Sequence, residues 1–286
     1  MSKPTVAVIA PGNMGAAVGA RLVERGLTVL TSLAGRSEAS AQRAAKGRLR
    51  AASDSEIAGA DIILSIVPPG DALALAQRLF PVLRDANRKP LYVDCNAVAP
   101  ETVVRIAKVV TDAGCAFVDG GIVGGPPRAG YDGPRLLVSG EDASRAATLG
   151  DFGLRVVPIQ GGIGAASAVK MCYGGLNKGI VALGAAMALA AERAGVSEAF
   201  KAELSQSQTA ILAQLDRGVP MMFPKAYRWV AEMEEIAAFV GDRPEAKIYE
   251  GFAGLYDRLA EDFAGSKDET GPLGSFFSSS GASQKK

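Results

Sequence analysis

The chain of 286 residues contains no histidine. That absence removes hydrolases and proteases that pair a serine or cysteine with an imidazole base, and nearly all zinc enzymes with them. Acid–base chemistry must therefore come from lysine, tyrosine, carboxylate or thiol, and no metal site is expected. Paired cysteines are lacking too. Cys95, Cys115 and Cys172 stand far apart with no Cys-x-x-Cys, so free thiols in a reducing compartment are expected. Charge of one sign is also missing: 31 basic residues face 30 acidic ones. Nucleic acid or an anionic membrane surface as main partner would need a basic excess. The Ala-rich stretch Gly179–Ala191 is bounded by Lys178 and Glu192 and is too short to span a bilayer, so it reads as a buried helix. Met1-Ser2-Lys3-Pro4 runs straight into a strand, which predicts no targeting segment and a cytoplasmic location.

What is present is apolar surface, 48% of residues, and length enough for two domains. In the first half, short apolar runs alternate with helical patterns. Strands are expected at Val6–Ala10, Thr28–Leu33, Ile62–Val67, Leu91–Cys95 and Ala116–Asp119. Helices are expected at Met14–Arg25, Ala72–Leu83 and Glu101–Ala113. Such alternation predicts parallel strands with helices on both faces. Leu136–Ser139 and Arg155–Pro158 read as two further strands at the sheet edge. From Gly164 the pattern turns helical: one long helix from Ala165 to about Ala194, then three or four more. The expected organisation is an α/β domain over 1–160, a joint at Gly161-Gly162, an all-α domain over 161–265 and a loosely ordered tail over 266–286. Leu273, Phe276 and Phe277 are the tail residues able to dock.

Ala10-Pro11-Gly12-Asn13-Met14-Gly15 follows the first strand and opens the first helix. This is the place of a Rossmann dinucleotide fingerprint. Gly12 lets backbone approach a pyrophosphate, Gly15 lets helix and strand pack closely, and the helix N-terminus supplies a positive dipole. Ala10 stands at the first glycine position. About 20 residues on, an NAD enzyme places an acid for the ribose hydroxyls, but Leu30-Thr31-Ser32-Leu33-Ala34-Gly35-Arg36-Ser37 has none until Glu38. Arg36 offers a guanidinium for a phosphate and Ser37 a hydroxyl, so NADP(H) is favoured over NAD(H).

Four landmarks in register over roughly residues 5–180 resemble the β-hydroxyacid dehydrogenase family of the 6-phosphogluconate dehydrogenase superfamily. They are the Ala10–Gly15 loop, the Val67-Pro68-Pro69 turn, Asp119-Gly120-Gly121-Ile122-Val123-Gly124-Gly125, and Gly161-Gly162-Ile163-Gly164 leading to Lys170. The resemblance implies a Rossmann-type sheet followed by an all-α domain. It implies cofactor contacts from Val67, Pro68 and Asn96, and substrate contacts from Asn96 and from Gly120, Gly121, Ile122 and Val123. Lys170 takes the place of the family's catalytic lysine. A partly desolvated ammonium there can donate a proton to a substrate oxygen and stabilise the developing oxyanion.

Departures from the family pattern bear on the substrate. The asparagine one turn after the lysine is replaced by Gly174. Asn177, seven residues beyond Lys170 and at nearly the same azimuth, is the candidate substitute, with Tyr173 as a second donor. Asn96 and Ala97 stand where the family has serine and threonine. The missing histidine excludes the sugar-phosphate decarboxylation of true 6-phosphogluconate dehydrogenases. The stretch Pro224–Ala237 resembles a subgroup whose helical C-terminal domain has no known function, and it carries Glu232, Glu234 and Glu235 where relatives have Lys-Asp. The resemblance thus implies a homodimer that interconverts a small hydroxy acid-like alcohol and its carbonyl. Imine reduction on the same fold is an alternative, as is a nicotinamide-binding regulatory protein without turnover. Imine reductases usually carry aspartate or tyrosine at the lysine position.

Overall fold

The computed structural model describes residues 3–278, in two compact units that meet in sequence at Met171 and Cys172. The first unit is built from β1 (Thr5–Ile9), α1 (Asn13–Glu24), β2 (Thr28–Thr31), α2 (Glu38–Lys46), β3 (Arg50–Ala51), α3 (Asp54–Ala58), β4 (Ile62–Ser65), α4 (Ala72–Asp85), β5 (Leu91–Asp94), α5 (Pro100–Asp112), β6 (Ala116–Val123), β7 (Arg135–Ser139), α6 (Ala143–Ala147) and β8 (Arg155–Pro158). The eight strands lie in the order β3-β2-β1-β4-β5-β6-β7-β8. Every neighbouring pair is parallel except β6 and β7. The chain direction across the sheet reverses between β1 and β4, and ligands of such sheets bind in the crevice at the carboxyl ends of the strands there.

The central strands are continuous apolar runs because both faces are covered. Val6, Ala7, Val8 and Ile9 alternate between two cores and are fully buried. On one face Ile57, Leu79, Tyr92 and Ile106 join sheet to α3, α4 and α5. On the other, Val18, Leu22, Val93 and Val138 pack under α1. The Arg21 guanidinium donates to the Tyr131 and Asp132 carbonyls, tying the excursion between β6 and β7 to α1.

The expected strands and helices of this unit fall within a residue or two of their predicted bounds except β6, while α2, β3, α3 and α6 were not expected. α2, β3 and α3 occupy a stretch with too little apolar periodicity to announce them. The Ser53/Glu56 capping box that starts α3 was its one legible signal. β6 runs on to Val123, so Gly120 and Gly121 lie inside a buried strand and not in a turn after it. Glycine commonly punctuates a chain, but here its missing Cβ is what the strand needs. A Cβ on Gly120 would stand 2.8 Å from the Asp94 carbonyl oxygen, and one on Gly121 2.8 Å from that of Ala166.

The second unit begins inside α7 (Ala165–Arg193) and continues with α8 (Ser197–Ser207), α9 (Thr209–Met222), α10 (Ala226–Val240), α11 (Ala246–Ala264) and α12 (Thr270–Ser278). The expected joint at Gly161-Gly162 is followed by nine residues, 163–171, that still belong to the sheet unit, because the first turns of α7 are anchored on β6 and β7. α7 is long and apolar enough to cross a membrane, yet Val181, Ala182, Ala185 and Ala188 on one of its faces are buried. The tail expected to be loosely ordered over 266–286 is not so as far as Ser278. The Asp262 carboxylate accepts from the Thr270 amide and hydroxyl, both at 2.7 Å, and Leu273 and Phe277 are 1% exposed. These caps and anchors oppose the Gly/Ser composition that suggested disorder. Residues 279–286 lie outside the described part of the chain.

Candidate active site

β1 ends at Ile9, and the Ala10 amide donates to the Ile66 carbonyl after β4 at 3.0 Å, so the loop leaves the sheet at the reversal point. Gly12 is the N-cap of α1 and has no side-chain capping bond. Nothing stands within 4 Å of where its Cβ would be. A Cβ on Gly15 would overlap the Ala10 carbonyl oxygen. An open glycine, an uncapped helix N-terminus and a tight helix–strand contact together fit a dinucleotide pyrophosphate. Pro11 is buried, Met14 half-buried and Asn13 exposed. At the end of the neighbouring β2, Arg36 is half-buried and Ser37 is an exposed N-cap of α2, whose hydroxyl accepts from the Ser40 amide. These are the residues that would hold the cofactor's adenosine end.

Asn96 follows β5 and is 2% exposed. Its Oδ1 accepts from the Val67 amide at 2.7 Å, and its Nδ2 donates to Ser65 Oγ at 2.8 Å and to Asp94 Oδ1. The amide expected to reach cofactor or substrate is thus engaged inside the protein, where it holds the Val67-Pro68 turn. Val67 is buried and Pro68 exposed.

Beside it lies a feature that motif reading missed. Asp94 and Asp119 are register partners on β5 and β6 and both are fully buried. Asp119 Oδ2 accepts from the Gly164 and Ser167 amides, each at 3.0 Å, and from Ser139 Oγ at 3.1 Å. Its Oδ1 accepts from Ser167 Oγ at 2.6 Å. Ser139 Oγ in turn accepts from the Ala166 amide at 3.0 Å. The carboxylate therefore caps α7 from a strand 45 residues away, which no local pattern announces. Burial first, and the Asp119 charge second, push the Asp94 carboxyl from its ordinary 3.8 up to about 7. Burial, with the two aspartates adding to it, also pushes the Cys95 thiol up, so this cysteine packs as a thiol.

Three residues beyond Ser167, Lys170 projects from α7 back to β6, where its Nζ donates to the Ile122 carbonyl. A Cβ on Gly121 would stand 3.2 Å from the Lys170 Cβ, so the glycine lets helix and strand meet. The structure thus brings the glycine loop, Arg36, Ser37, Val67, Pro68, Asn96, the Gly120–Val123 segment and Lys170 to the carboxyl edge of one sheet. Tyr173 and Asn177 fall beyond the division into units. Tyr173 is 49% exposed, and Asn177 Nδ2 donates to the Tyr173 carbonyl at 2.8 Å. Within the helical unit Lys178 pairs with Glu232 at 2.8 Å, sits over the Trp229 ring, and has its carbonyl bonded by the Tyr256 hydroxyl. Trp229 packs edge-on to Tyr256, and Met233 is fully buried.

Residues 5–150 match the NAD binding domain of 6-phosphogluconate dehydrogenase, and residues 191–259 match a domain of unknown function (DUF1932). An uncharacterised 28.5 kDa protein of Methanothermus fervidus is 30% identical over 157 residues, 54% of this chain and 58% of that one. The 3-hydroxyisobutyrate dehydrogenase of Pseudomonas aeruginosa is 29% identical over 199 residues, 65% of this chain and 63% of the relative. The chain thus spans about three-fifths of the length of these relatives. Among solved structures, Mycobacterium tuberculosis 3-hydroxyisobutyrate dehydrogenase with L-serine superposes with a TM-score of 0.71 at 20% identity, covering 92% of this chain and 96% of that one. This last likeness is one of fold.

Proposed function

This chain belongs to the family defined by the NAD binding domain of 6-phosphogluconate dehydrogenase, and from that premise we propose that it is an NADP(H)-dependent oxidoreductase interconverting a small hydroxy acid-like alcohol and its carbonyl. The observation that carries the reading is Lys170, held by β6 at the carboxyl edge of a sheet whose glycine loop is shaped for a dinucleotide. The bound nicotinamide would supply or take up the hydride. The Lys170 ammonium donates the proton to the substrate oxygen during reduction and takes it back during oxidation. Its bond to the Ile122 carbonyl orients the amine, and its charge stabilises oxygen as negative charge gathers there. Gly120 to Val123 offer backbone groups to the substrate. Asn96 acts through the turn it holds, and Tyr173 and Asn177 are the polar groups that α7 adds beyond Lys170. Arg36 and Ser37 favour NADP(H) over NAD(H).

The test is a spectrophotometric screen of NADPH consumption against keto acids, aldehydes and imines. Lys170→Ala is expected to lower kcat on the order of a thousandfold with NADPH affinity unchanged within twofold. Undiminished turnover in that variant overturns the assignment, and turnover confined to imines selects imine reduction. The engagement of the Asn96 amide favours a second reading, a nicotinamide-binding regulatory protein, which tight NADPH binding without turnover on any substrate would support. A homodimer built on α7 is supported by Tyr173, Leu176, Leu183 and Met187, each between 46% and 63% exposed and spaced at 3, 7 and 4 residues. Light scattering should return twice the 29.4 kDa chain mass. A small molecule is the partner proposed, in a cytoplasmic setting.

A further inference from the structure

We propose that Arg43 is a second phosphate-binding residue, which with Arg36 and Ser37 holds a 2′-phosphate on the cofactor's adenosine ribose and ties it to the glycine loop. The inference rests on the NADP(H) reading above and names the residue that enforces it.

Arg43 lies on α2, two turns beyond the loop that follows β2. Its Nε donates to the Pro11 carbonyl at 3.1 Å, and a terminal nitrogen donates to Ser40 Oγ at 2.9 Å. Pro11 belongs to the glycine loop after β1, and Ser40 Oγ stands 3.2 Å from Ser37 Oγ, the N-cap of α2. One guanidinium therefore ties the first turn of α2 to the glycine loop, and the strands before those two segments, β1 and β2, are paired in parallel. A dinucleotide on this edge of the sheet lays its adenosine ribose against those two segments. A guanidinium carries five N–H donors in a planar fork, and the two bonds leave three for an anion.

The charge balance points the same way. Seven of the chain's 19 arginines stand within 4 Å of a carboxylate, so an unpaired arginine is common here and it is the position and burial of Arg43 that set it apart. Among the described residues no ion pair is formed by Arg43 or by Arg36, and both are half-buried. A partly desolvated cation that faces only neutral oxygens favours an anion beside it. The acid nearest in sequence, Glu38, is exposed, and its Oε1 accepts from Gln42 Nε2 at 3.1 Å. Gly35, before Arg36, has φ +67° and nothing within 4 Å of its would-be Cβ, which leaves the turn open on that side. A phosphomonoester dianion matches the fork of donors; a ribose hydroxyl does not.

The experiment measures binding, with or without a known substrate. NADPH, NADH and adenosine 2′,5′-bisphosphate are titrated against the full chain and against Arg43→Ala and Arg43→Gln. The bisphosphate carries the 2′-phosphate without nicotinamide or pyrophosphate. The glutamine retains a donor for Pro11 while removing the charge, and it serves if the alanine variant fails to fold. Both variants are expected to weaken NADPH and the bisphosphate on the order of tenfold or more, with NADH unchanged within twofold. Equal weakening of NADPH and NADH would reduce Arg43 to a support of the loop and overturn the proposal, as would no weakening at all. A wild-type chain that binds NADH as tightly as NADPH defeats the cofactor preference and this inference together. A wild-type preference for NADPH that survives in both variants defeats the inference alone.

Discussion

The two units bury different things. Of the buried polar side chains among the described residues, Thr31, Ser32, Ser40, Ser65, Asp94, Asn96, Asp119, Ser139 and Ser167 belong to the sheet unit, and only Thr270 to the helical one. Six of the nine gather where β4, β5 and β7 end, at mid-β6 and at the start of α7, where they cap, orient and pair one another. The helical unit is closed instead by alanine, leucine and aromatic side chains, and its main ion pair, Lys178 with Glu232, keeps 14% and 19% exposure. The difference shows where the chain invests in polar order. A buried polar network is costly unless each member is satisfied, and it then holds its members in one arrangement. The sheet unit carries that burden at the very edge where ligand is expected.

Removing the hub of the network should show the contrast most strongly. Asp119→Ala leaves two backbone amides and two hydroxyls without their acceptor, and a loss of about 3 to 5 kcal/mol is expected. Glu232→Gln in the helical unit keeps an acceptor for the Lys178 ammonium but removes its counter-charge in a mostly buried setting, and should cost less, about 2 kcal/mol. Denaturant unfolding of both variants checks this, and comparable losses would erase the distinction between the units. Next in size is a pH effect. Because the Asp94 carboxyl titrates near 7 when folded and near 3.8 otherwise, the folded chain binds the extra proton between those values. Its contribution therefore favours folding at low pH and declines as pH rises from about 4 to 7, by on the order of 4 kcal/mol. Asp94→Asn cannot titrate, so its melting temperature relative to wild type should climb between pH 5 and 8. A constant difference across that range removes the buried, protonated carboxyl from the account. Smallest is a pair of glycines. Gly121→Ala meets the Ala166 backbone and should lose about 2 kcal/mol, whereas Gly174→Ala on α7 meets only the end of the Lys178 side chain at 3.7 Å and gains helix propensity, so about zero is expected. Equal effects would show that the contact of α7 with β6 is not a tight one.

Much of the fold was legible because it is local. Val6–Ala10 followed by a glycine loop and an amphipathic helix announces strand, turn and helix within 20 residues, and the same pattern recurs along the first half. Lys170 was legible through the glycines before it. Other positions were not. Asp119 looked like the first residue of a substrate-binding segment, but its partners are at 139, 164 and 167, and only the pairing of β6 with β7 brings them within reach. Asn96 had the residue type of a ligand contact, yet Ser65 and Val67 engage its amide from a neighbouring strand end. Arg43 sits in a polar helix with no motif at all. The tail looked weak because its glycines and serines are counted by composition, whereas Leu273 and Phe277 act by position.

The sequence by itself determined the sheet-then-helix organisation, the loop after β1, the lysine on the long helix and, through its empty histidine count, the chemistry open to that lysine. These depend on residue type and on spacings of a few residues, which the backbone converts directly into strands, turns and helix faces. Tertiary structure alone decided which polar groups face one another and which remain free for a ligand. Hydrogen bonds between residues 29 to 48 positions apart exist only once the strand order sets their neighbours. A buried carboxylate in the middle of β6 becomes the cap of α7 for that reason, and so fixes where Lys170 stands.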